Sequence, residues 1–170
     1  MSSPEESPQP FTPDEQQRLR RLLDEDDIRS LATRYAHYMD HGYIDRFREV
    51  FTDDICCEFG PYGSWRGIDE VLKSYHAVYQ ELGNLPFASL HAVTGHWIQL
   101  LSNDAAMGRR QLLDFVTQRP PEESPLLWLA VYEDEYRRCE EGWRICRMAV
   151  SFLWPERLAA EDFPTPFPPT

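Results

Sequence analysis

The stretch ELGNLPFASLHAVTGHWIQL, residues 81–100, is where the spacing of apolar residues changes from helical to strand-like. Upstream of it, apolar residues recur three or four positions apart, which is typical of helices that pack on one face. Downstream, strand-like runs follow at about 88–101, 105–118, 126–138 and 142–153. The links SND and EEG indicate tight hairpins, and RPPEESP indicates a longer connection.

Helices followed by a meander of long strands predict an α+β fold, with an antiparallel sheet and helices on one face. A curved sheet wrapped over three N-terminal helices encloses a cone-shaped cavity, which is a natural site for a small molecule. The length of 170 residues suits one domain. We expect a disordered tail at 1–13, one domain at 14–154, and a proline-rich tail at 155–170 that is either loose or covers the pocket mouth.

The upstream half of the chain predicts three helices. The first should begin near residues 24–27, where acidic side chains suit a helix N-terminus, and end at Gly42. A second helix is expected at about 43–51, a turn at TDD (52–54), a strand at 55–59 and a loop at GPYGSWRG (60–67). The third helix should run from 68 to about 82, and its apolar face is led by Ile68, Val71, Leu72, Tyr75 and Val78.

The composition narrows the range of partners. A formal net charge of −12 disfavours nucleic acid and anionic membrane surfaces, because phosphate groups attract positive charge. No apolar run approaches about 18 residues, and the acidic, proline-rich start lacks signal-peptide features, so we expect a cytoplasmic protein. The cysteines form no CxxC pair and are expected to be buried free thiols; they are Cys56, Cys57, Cys139 and Cys146.

An aspartate and a histidine could carry chemistry in such a cavity. Asp40 falls in the last turn of the first helix, where the helix dipole disfavours a negative charge unless a cation or an imidazolium stands opposite. His91, in the first long strand, is the expected partner, with Asp40 fixing its tautomer. His91 would then remove a proton next to a carbonyl or a phenol and pass it to a leaving hydroxyl. Tyr35 would hydrogen-bond the substrate carbonyl, and Arg110 would either do the same or bind a substrate acid.

These residues also have structural interpretations. Asp40 could cap the 40–45 turn or pair with Arg46, and a strand histidine such as His91 is often a packing residue. Tyr35 lies on the apolar stripe and could simply fill the core. Arg110 shares strand parity with Asp114, so the two would be either pocket groups or an ion pair.

The remaining histidines and aromatic residues are weaker candidates. His96 has the opposite strand parity to His91 and should face the other side of the sheet unless a bulge intervenes. His37 and His41 have a spacing that metal ligands use, but no HExxH pattern supports them, so we expect no metal and no cofactor. Pocket walls, with core packing as the alternative, could come from Phe59, Tyr62, Trp65, Phe87 and Trp154.

Several motifs resemble the NTF2-like superfamily, and within it the SnoaL-like group. The matching stretches are YAHYMDHGYIDRFREVFTDD (35–54), WRGIDEV (65–71), SLHAVTGHWIQL (89–100) and YEDEYRRCEEGWRICR (132–147). The resemblance implies the cone fold. It leaves the activity open, because the superfamily includes dehydratases, isomerases, cyclases, hydrolases and non-catalytic adaptors.

A narrower resemblance is to scytalone dehydratase and the related bile-acid dehydratase and dehydrochlorinase enzymes. In that group an aspartate near the end of helix one pairs with a histidine on the first long strand, which implies Asp40 and His91 here. Tyr35 matches a tyrosine of the bile-acid dehydratase type, and SFLWPERL (151–158) is similar to the segment that closes the scytalone dehydratase pocket. Arg110 and Phe59 replace a histidine and a tyrosine of that enzyme, so a different substrate is expected.

The sequence therefore predicts a cofactor-independent dehydratase or isomerase of secondary metabolism that acts on a small cyclic hydroxylated compound. The expected catalytic residues are Asp40, His91 and Tyr35, and the expected substrate-binding residues are Arg110, Asp114, Phe59, Tyr62, Trp65 and Trp154. A non-catalytic ligand-binding or assembly module and a biosynthetic cyclase remain alternatives. Alternate residues of the apolar run LLWLAVY (126–132) form a face that would suit a subunit interface, so we expect a homo-oligomer, either trimer or dimer.

Overall fold

The computed structural model describes residues 11–81, 83–118, 120–123 and 126–155. The elements of this part are α1 (Pro13–His41), β1 (Phe51–Glu58), β2 (Ser64–Arg66), α2 (Ile68–Glu81), β3 (Ser89–Leu100), β4 (Ala105–Val116), β5 (Leu126–Cys139) and β6 (Gly142–Trp154). Short 3₁₀ helices occupy Ile44–Glu49, Gly60–Tyr62 and Pro121–Glu123. Most of the expected N-terminal tail, the end of the third helix at Leu82, and the C-terminal tail after Pro155 lie outside the described residues.

The six strands form one curved, open sheet in the order β2-β1-β6-β5-β4-β3. Strands β3 to β6 pair antiparallel as the meander predicts, and their bounds agree with the predicted runs to within two residues. The prediction of a wholly antiparallel sheet is wrong, because β1 pairs parallel to β6. These two strands are far apart in the sequence, so no hairpin fixes their relative direction.

The core lies between the inner face of the sheet and the helices. Helix α1 contributes Ile28, Leu31 and Tyr35 to it, and α2 contributes Val71 and Tyr75. The sheet closes the core with its fully or nearly fully buried residues Ile55, Cys57, Leu112, Ala130, Tyr132, Tyr136, Ile145 and Met148. Removing this apolar surface from water is the main force that holds α1 and α2 against the sheet.

Helix α1 begins more than ten residues before the predicted start. Thr12 caps it: its hydroxyl accepts from the Glu15 backbone N–H, and the Glu15 carboxylate accepts from the Thr12 backbone N–H. The first turns make no core contact, and Leu19, Leu22 and Leu23 are exposed there. The prediction is wrong because the apolar stripe marks only the part of a helix that packs, whereas the capping residues mark its start.

Three further local predictions are wrong. The expected loop at 60–67 contains strand β2, which pairs antiparallel with β1. The TDD segment is not a turn but part of β1, where Asp53 and Asp54 point to solvent. Their exposure explains the misreading, since a half-exposed strand and a polar turn have similar compositions. Val78 does not join the buried face of α2 and is 40% exposed, while the other four predicted residues of that face are buried. The predicted second helix is present as the 3₁₀ segment Ile44–Glu49.

Candidate active site

Asp40 occupies the last turn of α1 and is buried. Gly42 ends the helix in the left-handed conformation, with φ of 73°, and its N–H donates to the Met39 carbonyl. The Asp40 carbonyl accepts a 2.7 Å hydrogen bond from the backbone N–H of Phe87, just before β3. The end of α1 is therefore tied to the segment that leads into the first long strand.

His91 on β3 meets the Asp40 carboxylate. The imidazole Nδ1 lies 2.7 Å from Asp40 Oδ1, and the His91 backbone N–H donates to the same oxygen at 3.0 Å. Both side chains are nearly buried, with 9% of His91 and 3% of Asp40 exposed. Because an ionised carboxylate only accepts hydrogen bonds, Nδ1 carries the proton in the neutral ring, and Nε2 is left as an acceptor.

A cavity of about 550 Å³ opens in front of this histidine. Five of the predicted site residues line it besides His91; they are Tyr35, Phe59, Tyr62, Trp65 and Asp114. The predicted residue Trp154 does not line it. Trp154 is 56% exposed and pairs with Leu129 at the end of β6. Phe87 is not part of the lining either, and it packs on His41.

The floor of the cavity contains a cluster of phenols. The hydroxyls of Tyr35 and Tyr75 share a buried hydrogen bond of 2.8 Å, and Tyr132 packs edge-on against Tyr35. Burial raises the pKa of all three phenols well above the ordinary value, and the Arg110 guanidinium opposes this shift in each case. The three hydroxyls therefore stay protonated, and one proton of the Tyr35–Tyr75 pair remains free to donate a hydrogen bond to a ligand oxygen.

Sequence reasoning missed several residues of this cavity. The sequence predicts Tyr75 only as a core residue. It does not predict site roles for four further residues that line the cavity with it: Trp128, Tyr132, Phe152 and Glu81. Trp128, Tyr132 and Phe152 have the strand parity of the inner face, which is a usable signal once the register is known. Nothing in the sequence alone fixes that register.

Arg110 does not face the cavity. Its side chain is fully buried, and its Nε donates to Asp134 Oδ2 at 2.7 Å. Its guanidinium carbon lies 3.9 Å above the centre of the Tyr132 ring. Burial alone would lower the pKa of Arg110, but the facing Asp134 carboxylate raises it. The expected substrate contact of Arg110 is therefore replaced by an ion pair behind the tyrosines.

Asp114 lies directly opposite His91 in the β3–β4 register, and both side chains face the cavity. The Ser89 hydroxyl, two residues before His91, donates a hydrogen bond to Asp114 Oδ1. The predicted alternative of an Arg110–Asp114 ion pair is thus not what these side chains form. A second carboxylate instead stands beside the histidine, within reach of a bound ligand.

His96 faces the inner side of the sheet because a bulge intervenes. The β3–β4 register shifts between Thr94 and Trp97, and Gly95 adopts a φ of 58° there. The Tyr136 hydroxyl donates to Asp134, so His96 Nε2–H donates to the Tyr136 oxygen at 3.0 Å. Burial, with Arg110 nearby, lowers the pKa of His96 to about 4. His96 belongs to the Arg110 network and not to the cavity.

The remaining histidines and the cysteines do not form a site in the described part of the chain. No three side chains of histidine, cysteine, aspartate or glutamate come together as metal ligands in the described ranges. His41 Nδ1 bonds to the His37 carbonyl. All four cysteines are free thiols, but the expectation that they are buried holds fully for Cys57 alone. Neither described α-helix is long and apolar enough to cross a membrane.

Comparisons with known proteins place this geometry in a family context. A family model described as a SnoaL-like domain matches residues 20–149, which is most of the chain. No curated protein sequence matches at a significant level.

Solved structures show the same fold. An NTF2-like protein with a cystatin-like fold from Novosphingobium aromaticivorans covers 89% of this chain and 96% of its own, with a TM-score of 0.72 and 20% identity. A candidate scytalone dehydratase from that organism covers 82% of this chain and 93% of its own, with a TM-score of 0.69 and 17% identity. The hexachlorocyclohexane dehydrochlorinase LinA-type3 from Novosphingobium barchaimii covers 84% of this chain and 98% of its own, with a TM-score of 0.68 and 19% identity. These similarities confirm the predicted NTF2-like cone.

Proposed function

The chain belongs to the SnoaL-like domain family, and from that premise we propose that it is a cofactor-independent dehydratase or isomerase acting on a small cyclic hydroxylated metabolite. The family and the fold neighbours support an enzyme that processes a small molecule. The observation that carries the finer proposal is the Asp40–His91 hydrogen bond of 2.7 Å, with His91 lining a cavity of about 550 Å³.

His91 is the proposed general base. Asp40 holds the proton on Nδ1, so Nε2 presents its lone pair to the cavity. The backbone hydrogen bond from His91 to the same carboxylate holds β3 against the end of α1, and the Nδ1 hydrogen bond limits rotation of the ring. A neutral imidazole in this position removes a proton from the carbon next to a carbonyl or from a phenol hydroxyl.

Tyr35 and Tyr75 are the proposed electrophilic groups. Their hydroxyls share one hydrogen bond, so one of the two phenolic protons remains available to a substrate carbonyl on the cavity floor. A hydrogen bond to that oxygen stabilises the enolate that forms when the proton leaves carbon. Because the phenols stay protonated, this donor is present through the neutral pH range.

Elimination completes the proposed reaction. The electrons of the broken C–H bond form the C=C bond as the C–O bond to the leaving hydroxyl breaks. The imidazolium returns its proton to that hydroxyl, so water leaves and His91 is neutral again. If the same proton returns to a different carbon instead, the outcome is isomerisation.

The test measures proton transfer directly. Cyclic β-hydroxyketones and hydroxylated phenols are incubated in D₂O, while NMR follows deuterium entry next to the carbonyl and ultraviolet absorption follows conjugated products. For an active compound, we expect Asp40→Asn and His91→Gln each to lower the rate about 10²- to 10⁴-fold with the fold intact. His37→Gln, an exposed change on the same helix, serves as the control.

Unchanged rates in both site variants, with a compound that the wild type turns over, would end the proposal. A non-catalytic ligand-binding or assembly module is the second candidate, and the apolar outer face of the sheet favours it. Failure of every compound in the panel to exchange or react, together with tight binding in the cavity, is the result that supports the second candidate.

A further inference from the structure

We propose that the cavity selects ring compounds that carry a positive charge, accepts uncharged ones and rejects anions, with Asp114 as the residue that sets this preference. The inference rests on the proposed function in one respect, since it assigns the ligand of the same cavity. It concerns binding, however, and not the reaction.

The charges that line the cavity have one sign. Asp114 stands beside His91, and Glu81 lies at the exposed end of α2, so both contribute carboxylates to the lining. Asp40 adds a third carboxylate behind the imidazole. No arginine or lysine is among the described lining residues. An anionic ligand would therefore lose its hydration without gaining a cationic partner.

Both α-helices present their C-terminal ends to this region. Helix α1 ends at His41, one residue after Asp40, and α2 ends at Glu81 on the cavity lining. A helix C-terminus carries a partial negative charge because the peptide dipoles of the helix are aligned. The two ends therefore strengthen the negative potential of the three carboxylates.

The nearest buried positive charge does not cancel this potential. Arg110 is paired with Asp134, so the ion pair has no net charge. The guanidinium also lies behind the rings of Tyr35 and Tyr132, away from the cavity. At larger distances the net charge of −12 attracts cations and slows the approach of anions.

The walls of the cavity are suited to a flat ring with a cationic group. Phe59 meets Trp65 edge to face at 5.4 Å, and Phe152 meets Tyr62 and Trp128 in the same manner at 5.1 and 5.4 Å. These rings bury apolar area of a ligand, and their faces attract an ammonium group by cation–π interaction. Aromatic walls and flanking carboxylates together are the chemistry that recognises protonated amines.

Three probes of matched shape test the proposal by calorimetry at neutral pH: 2-naphthylmethylamine, 2-naphthylmethanol and 2-naphthoate. We expect the amine to bind tightest, the alcohol next, and the naphthoate at least about tenfold more weakly than the amine, as expected for one partly screened charge contact. Asp114→Asn should reduce the ratio of amine to naphthoate affinity about tenfold.

Asp26→Asn is the matched control, because it removes one negative charge from the exposed face of α1 and leaves the cavity intact. It should leave the affinity ratio nearly unchanged. If Asp114→Asn does not fold, Glu81→Gln replaces it, since Glu81 is exposed and its loss should lower the same ratio.

The proposal is overturned if naphthoate binds as tightly as the amine, if none of the probes binds, or if the cavity variant changes the ratio no more than Asp26→Asn. Failure here is distinguishable from failure of the proposed reaction. Binding selectivity is measured without turnover, whereas the reaction is judged by deuterium exchange in Asp40→Asn and His91→Gln.

Discussion

Asp40 occupies a position that ordinary helix energetics disfavour. A carboxylate in the last turn of a helix faces the negative end of the dipole. Here the cost is offset by two hydrogen bonds, from the backbone and the ring of His91. A residue that is unfavourable for the helix and well satisfied by one distant side chain is typical of a site in which function, and not stability, determines the choice.

Arg110 provides a stability prediction at the residue scale. Arg110→Met leaves Asp134 buried without its cationic partner, so we expect the free energy of unfolding to fall by about 3–5 kcal/mol. Urea denaturation measures the change. The double variant Arg110→Met/Asp134→Leu should recover most of the loss, because the uncompensated charge is removed. Equal destabilisation in the single and double variants would contradict an energetically coupled pair.

His96 provides a prediction of pH dependence. Its pKa is about 4 in the folded chain and near 6.5 when unfolded, so the unfolded chain takes up the proton first as the pH falls. The contribution of neutral His96 to the free energy of unfolding is therefore fully present above about pH 6.5, and it is lost as the pH falls from about 6.5 to 4. His96→Gln should make the free energy of unfolding less steep with pH in this window.

Urea denaturation at several pH values in that window, compared with His37→Gln on the exposed face of α1, isolates the effect. The same slope in wild type and His96→Gln would show that the ring is not held neutral by burial.

The sequence could predict the residues of the site only unevenly. The meeting of Asp40 and His91 agrees with the order of elements and the family resemblance, and the geometry brings them together. The place of Arg110 could not be predicted, because its partner Asp134 lies on another strand and the choice between Asp114 and Asp134 depends on register. His96 required the bulge at Gly95, which a parity argument cannot locate.

At the scale of elements, the end of α1 positions the site. Gly42 adopts a left-handed conformation, and a Cβ at this position would overlap the ring of Tyr79 on α2. The glycine thus allows close contact between the two helices where Asp40 must meet β3. A side chain at residue 42 would have to move either the α1 terminus or α2.

We expect Gly42→Ala to lower the free energy of unfolding by more than the roughly 1–2 kcal/mol of the left-handed conformation alone. Gly83→Ala is the matched control, since Gly83 has nearly the same φ of 74° but open space around it. The difference between the two losses, measured by urea denaturation, reports the overlap with Tyr79. Similar losses would mean that Tyr79 moves aside at little cost.

The elements were predictable to different degrees for physical reasons. Strands β3 to β6 are long strand-like runs separated by the turn sequences SND, RPPEESP and EEG, so their existence and bounds follow from the sequence. The start of α1 was missed although TPDE at 12–15 is a capping-box sequence, because that segment has no apolar face to bury. The predicted first strand starts too late, at residue 55, because the exposed aspartates of β1 resemble a turn.

At the scale of the whole molecule, the outer face of the sheet carries apolar side chains in the described part of the chain. Leu90 pairs with Phe115, and Leu113 pairs with Leu129, on the face opposite the cavity-lining residues. Leu90 is 42% exposed there. Apolar side chains in one contiguous area on a sheet favour association with another protein surface. The homo-oligomer therefore stays a prediction with a defined surface.

Leu90→Glu tests it by placing a charge on that surface, near the start of the edge strand β3. If two or three copies associate through this face, light scattering after size exclusion should give a mass two or three times 20.0 kDa for the wild type and the single-chain mass for the variant. Leu22→Glu is the control, because Leu22 is 60% exposed on the part of α1 outside the core. A wild type that already elutes as a single chain, or a Leu90→Glu variant that keeps the wild-type mass, would contradict assembly through the outer face. In the second case the exposed stripe of α1 becomes the surface to test, and a change of mass in Leu22→Glu alone would identify it.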